Sequence, residues 1–153
     1  MDLILWRHAE AEEARDGMTD YKRRLTPKGE KQAKKIARWL QQQLPRKCRI
    51  IVSPSERTQQ TAHALDLPYE VEPKVGTSST AEEILHIADW PNSPSPVLVI
   101  GHQPTLGRIA ARLISGDESD WPVKKGSIWW FSSRVRNGAT QTILRAALNP
   151  DFF

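Results

Sequence analysis

Residues 3–12 read LILWRHAEAE: four apolar side chains run straight into Arg7 and His8, and an acidic stretch follows. A short apolar run without polar alternation is what a strand covered on both faces looks like, and it implies a parallel sheet between helical layers. The run ends by setting a guanidinium beside an imidazole. Two cations at one strand end repel unless an anion lies between them. Alone, the dipeptide reads as an ordinary surface pair. Its meaning depends on what the other strands deliver to the same edge.

Two further runs have the same character, RIIVS (49–53) and VLVIG (97–101), and YEVEP (69–73) is a weaker candidate nearer a sheet edge. Helical patterns alternate with them. From Pro27 to Leu44 the residues Ala33, Ile36, Ala37, Leu40 and Leu44 recur at three- and four-residue spacing, which gives one apolar stripe. Thr26 suits the cap and Pro27 the first helical position, while Gly29 stands where a capping box would want Glu. Shorter helices are expected at about 55–65, 80–88 and 104–115. The segment 127–148 is β-rich and is split by Asn137-Gly138, a strong hairpin signal. The expected fold is α/β, a three-layer α/β/α arrangement with a mostly parallel sheet and antiparallel C-terminal edge strands. Trp129 and Trp130 should fall on opposite faces of their strand, which leaves one of them open to exposure.

The 153 residues suit one domain, 1–153, with 39% hydrophobic and 26% charged residues, the balance of a globular chain. A net charge of +4 with no basic block longer than Lys22-Arg23-Arg24 does not indicate nucleic acid. Cys48 is the one cysteine, so neither a disulfide framework nor a thiolate metal site is expected. No run approaches the length of a membrane span and no signal-peptide core opens the chain, so a cytoplasmic setting is the default.

The strand ends form a pattern. The first delivers Arg7 and His8. The second runs into SPSERTQQTA (53–62), which puts Arg57 on the first turn of the next helix. The third runs into GHQPTLG (101–107), which puts His102 at a strand-to-helix turn. In open α/β sheets ligands bind beyond the carboxyl ends of the strands. Two arginines and two histidines therefore meet at one rim, with no acidic residue at those positions to neutralise them. Helix N-termini near Ser55 and Pro104 add free N–H donors. Such a cluster suits a doubly charged tetrahedral anion, a phosphate or its mimic vanadate. No paired carboxylates or Cys/His ligand spacing accompany it, so no metal or other cofactor is expected. His63 and His86 fall inside helical stretches and read as packing or surface residues.

LWRHAEAE, RRLTPKGEKQA, SPSERTQQTA and GHQPTLG together resemble the histidine phosphatase, or phosphoglycerate-mutase-like, superfamily, in that family's order and over most of the chain. Ala9 after Arg7-His8 and the short stretch between 65 and 97 resemble its small SixA-type phosphohistidine phosphatase branch. Asp20, Arg24, Leu25, Thr26 and Gly29 approximate a further family pattern. The resemblance implies that His8 is the nucleophile and that Arg7, Arg57 and His102 hold the phosphoryl oxygens. It implies no proton donor here, because larger members carry that Glu in an insertion this chain lacks. Glu82, Glu83, Glu10, Glu12 and Glu13 all stay open.

Attack by His8 requires a neutral ring, and Arg7 and Arg57 should lower its pKa from about 6.5. Its second nitrogen should meet a backbone carbonyl, and His102 should donate to the phosphoryl group. An open rim without an assigned acid favours phosphohistidine on a partner protein, since a phosphoimidazole already protonated on its ring departs as neutral imidazole. The alternatives are a small-molecule phosphomonoesterase or mutase on the same scaffold, and a non-catalytic phosphate-binding module.

Overall fold

The computed structural model describes residues 1–153. In chain order the elements are β1 (Asp2–Arg7), α1 (Pro27–Gln43), β2 (Arg49–Val52), α2 (Glu56–His63), β3 (Glu70–Val71), α3 (Ala81–Ile87), β4 (Val97–Gly101), α4 (Thr105–Ser115), β5 (Ile128–Arg136) and β6 (Ala139–Leu148). Six strands form one sheet in the order β3-β2-β4-β1-β5-β6. β1, β2, β3 and β4 pair in parallel, and β5 joins β1 antiparallel. The weak strand at 70–71 is an edge, as its short polar sequence suggested. On the other side β6 alone is the edge, because β5 is enclosed between β1 and β6.

Alternation along the strands divides the core into two layers. Ile4, Trp6, Ile50, Val52, Leu98 and Ile100 pack with Ala33, Ile36, Leu40, Ala62 and Leu65 of the α1–α2 side. Leu3, Leu5, Ile51, Val97 and Val99 pack with Ile84, Leu85, Leu106 and Ile109 of the α3–α4 side. The three-layer reading of the apolar runs therefore holds, since both faces of the central strands are covered. Trp130 joins the first layer and Trp129 is half-buried against the second. Neither is an exposed ring, because α4 and its following loop reach over that face to Trp129.

Local chemistry closes each element. The Thr26 hydroxyl accepts from the Gly29 amide and caps α1, with Pro27 in the first turn. Asn137 and Gly138 both have positive φ, 53° and 75°, the hairpin turn the dipeptide favours. The first turn of α1 is also anchored to the segment after β1. The Thr26 amide donates to the Glu10 carbonyl at 3.0 Å and the Thr26 hydroxyl to the Glu10 carboxylate at 2.7 Å. Gly29 sits so close that a Cβ there would lie 2.0 Å from the Glu10 carbonyl oxygen. No helix is long and apolar enough to cross a membrane.

Candidate active site

The parallel register brings three chain segments to one level. Arg7 is paired with Gly101 and Val52 with Ile100, and the ladder then continues past the strand ends. The His8 amide donates to the Gly101 carbonyl at 3.2 Å and the Ser53 amide to the Ile100 carbonyl at 3.1 Å. His8 and His102 therefore leave the sheet on the same rung, with Ser53 one rung earlier beside Gly101, and α2 starts at Glu56. Ser55 caps α2 by accepting from the Thr58 amide, which places Arg57 in its first turn.

His8 is 7% exposed, and its Nδ1 lies 2.8 Å from the Ala9 carbonyl oxygen. A carbonyl only accepts, so Nδ1 carries the hydrogen and Nε2 keeps its lone pair. Burial pushes the His8 pKa down to about 3, with His102, Arg57 and Arg7 adding to the fall and the Ala9 bond opposing it. The neutral ring expected from its neighbours is thus produced first by desolvation, with His102 ahead of the two arginines among the charged neighbours.

His102 is 4% exposed and is held at both ring nitrogens. Nε2 lies 2.7 Å from the Ser53 hydroxyl, and Nδ1 lies a long 3.4 Å from Nη2 of Arg57. Guanidinium only donates, so Nδ1 faces it with a lone pair and Nε2–H donates to Ser53. Burial, followed by Arg57, pushes the His102 pKa down to about 4, while Asp20 pulls it upward. The ring centroids of His8 and His102 are 5.4 Å apart.

Arg57 is 2% exposed, not the open helix arginine its sequence neighbourhood suggests in isolation. Its Nη1 donates to the Asp20 backbone carbonyl at 2.7 Å and its Nη2 to the Asp20 carboxylate at 2.8 Å. The expectation of a rim without acidic neighbours is therefore corrected. Asp20 enters from the segment between β1 and α1, far from any strand end, where strand-by-strand reading had no reason to look. Burial acts to raise the Asp20 pKa, but hydrogen bonds from Arg57 and Arg23 hold it below the usual carboxylate range.

Arg7 donates through Nη1 to the Val123 carbonyl at 2.7 Å. The Nε atoms of Arg7 and Arg57 are both buried without a protein partner. The two guanidiniums line one cleft with His8 and His102, a concentration of positive charge and N–H donors that suits an anion. The cleft has a volume of about 410 Å³, and Lys125, Gln103, Thr77 and Glu13 line it together with the four expected residues. A larger groove of about 520 Å³ runs between α1 and α2, but its one arginine, Arg24, is already paired with Glu56. Nowhere do three or more His, Cys, Asp or Glu side chains cluster as metal ligands would.

The open question of a proton donor narrows. Glu83 closes a capping box with Thr80 at the start of α3. Glu10 accepts from the Thr26 hydroxyl and Glu12 from the Arg24 amide. Of the five glutamates, only Glu13 lines the cleft. His63 and His86 are exposed, as expected of helix-surface residues. Asp20 and Ser53 are the residues that strand-end reasoning missed; Asp20 stood in the sequence only as part of a family pattern.

The profile of the histidine phosphatase superfamily (branch 1) matches residues 3–78. A Haemophilus influenzae protein described as a phosphohistidine phosphatase SixA homolog is 33% identical over 128 residues, covering 74% of this chain and 77% of the relative. A solved protein histidine phosphatase SixA complexed with tungstate superposes with a TM-score of 0.76 at 25% identity, over 99% of both chains. A phosphoserine phosphatase variant from Entamoeba histolytica bound to phosphoserine superposes at 0.68, with 16% identity over 95% of each chain, and so shares the fold.

Proposed function

This chain belongs to the histidine phosphatase superfamily and is a phosphatase, and from that premise we propose that it hydrolyses phosphohistidine on a partner protein through a covalent phospho-His8 intermediate. The observation that carries this reading is the neutral, tautomerically fixed His8 in one cleft with Arg7, Arg57 and His102. Residues 1–153 act in it as one domain, in a cytoplasmic setting that the single unpaired Cys48 suits.

In the first step the Nε2 lone pair forms a bond to phosphorus as the bond from phosphorus to the substrate ring nitrogen breaks. The substrate leaves as neutral imidazole if its other nitrogen is protonated at the start. Charge on the three equatorial oxygens is met by Arg7 and Arg57, so no metal is invoked. For His102 to donate to an oxygen, its ring must take the opposite tautomer or gain a proton. The Ser53 hydroxyl accommodates both states, since it donates as readily as it accepts. Water then attacks phosphorus, the P–Nε2 bond breaks, and inorganic phosphate leaves with the water's proton shed to solvent.

The preference for phosphohistidine over an alkyl ester rests on the acid. An alkoxide needs a proton to leave, and Asp20 is held anionic by two arginines. Glu13 on the cleft wall favours a second reading, a phosphomonoesterase in which Glu13 supplies that proton. The test compares kcat/KM for a phosphohistidine-bearing protein with that for alkyl phosphomonoesters. Higher values for the protein support the proposal, and equal or better turnover of the esters overturns it in favour of the second reading.

A further inference from the structure

Asp20 has an unusual relation to Arg57. One residue takes both terminal nitrogens of the guanidinium, Nη1 through its backbone carbonyl and Nη2 through its carboxylate. The second carboxylate oxygen of Asp20 binds Arg23 through Nε at 3.0 Å and Nη2 at 2.9 Å. Arg57 forms no other ion pair, and Arg7 forms none at all. The Asp20 side chain remains 51% exposed, on the solvent side of an arginine whose own side chain is 3% exposed.

A phosphoryl dianion entering this cleft meets a guanidinium that already has a carboxylate on it. From this geometry we propose that Asp20 is a positioning residue with two effects. It fixes the Arg57 fork and, as a resident counter-anion, weakens the hold of the pocket on inorganic phosphate so that product leaves. The inference rests on the reading of the cleft as a phosphoryl pocket. It explains why a carboxylate belongs where the reaction wants positive charge. Without it, Arg57 and Arg7 would bind the dianionic product in the same way as the transition state, which lowers the free-enzyme concentration without speeding the chemistry. The carboxylate opposes every bound state, whereas in-line geometry at His8 favours the transition state alone.

The test measures the binding of orthovanadate and of inorganic phosphate to the wild-type protein and to Asp20→Asn and Asp20→Ala, by calorimetry and as inhibition constants. Asn keeps an acceptor for Nη2 and removes only the charge, while the backbone carbonyl still holds Nη1. For a half-exposed charge at this distance the expected result is about tenfold tighter binding of both anions by Asp20→Asn. Turnover at saturation should fall as release slows, and Asp20→Ala should show the same tightening with a further loss of kcat from the looser Arg57. A purely structural brace predicts the opposite sign, weaker anion binding in both variants. Unchanged or weaker binding by a folded Asp20→Asn, its fold verified by thermal melting, overturns the proposal. If the wild-type protein binds neither anion, the phosphoryl-pocket reading fails and takes this inference with it. Inorganic anions carry no leaving group, so the result does not depend on which phosphorylated substrate the enzyme prefers.

Discussion

The imidazole rings of His8 and His102 face one another at a 58° tilt with centroids 5.4 Å apart, and burial holds the pKa of both below that of free histidine. Their folded values, about 3 and about 4, lie below the reference of about 6.5 that an unfolded chain shows. Between these limits the unfolded state binds protons that the folded state refuses, so stability falls as pH is lowered. The melting temperature should decline from pH 6.5 toward pH 4 and be level above pH 7 as far as these two groups are concerned. Saturating phosphate should blunt the decline by favouring the protonated rings. Differential scanning calorimetry across that range, with His102→Asn as the comparison, reads the effect; an identical decline in the variant would remove His102 as a contributor.

Replacing His8 with Ala should abolish turnover and leave no acid-labile phosphoenzyme. The ring is the one group whose tautomer presents a free lone pair from a neutral nitrogen in the cleft. Rapid alkaline quench after exposure to a phosphodonor, followed by intact-mass measurement, detects the adduct on wild type, and acid treatment removes it. Normal activity in His8→Ala would end the covalent mechanism.

Arg57→Ala should lower kcat by about two orders of magnitude or more, as loss of a transition-state donor does. Arg57→Lys should recover little of it, because an ammonium cannot hold Asp20 through two nitrogens and still offer a third N–H. Excess EDTA should leave the wild-type rate unchanged. A strong EDTA effect, reversed by a divalent cation, would show that charge at phosphorus comes from a metal after all.

Ser53 is fully buried, with its hydroxyl 2.7 Å from Nε2 of His102. Ser53→Ala leaves a buried ring N–H without its partner, at a cost of about 1–3 kcal/mol of stability. It also removes the group that lets His102 change tautomer, so phosphate affinity should fall together with stability. Chemical denaturation and calorimetric titration of the variant measure the two separately. Weaker stability with unaltered phosphate binding would confine Ser53 to a structural role.

At Gly29 any side chain must displace the Glu10 carbonyl, which an added Cβ would approach to 2.0 Å. Gly29→Ala should destabilise by about 1–3 kcal/mol or more, the usual range for overpacking. Because Glu10 lies two residues after His8, activity should fall beyond what the lost stability explains. Equilibrium denaturation alongside kcat at a temperature where the variant is fully folded distinguishes the two effects.

Much of this molecule could be read locally. Continuous apolar runs at 3–6, 49–53 and 97–101 marked the central strands because strands covered on both faces cannot alternate. Thr26-Pro27 and Asn137-Gly138 announced a helix start and a hairpin, since capping and positive φ are properties of the residues themselves. Arg7, His8, Arg57 and His102 were found because each closely follows such a run, and parallel strands end at one edge. The sheet layers, the rim and the family all follow from that.

The tertiary structure decided what lies between those residues. Asp20 and Arg57 are 37 positions apart, and Ser53 and His102 are 49 apart. No local rule pairs them; they meet because the β1–α1 segment folds over the start of α2 and because the neighbouring parallel strands β2 and β4 end within one rung of each other. The low pKa of His8 likewise comes first from burial, which depends on everything packed around the ring and not on Arg7 beside it. Sequence determined that Arg7, His8, Arg57 and His102 come to one rim, because strand and turn chemistry is short-ranged. Solvation and ion pairing depend on three-dimensional neighbours, so only the folded chain decided that one of those cations arrives already holding an anion.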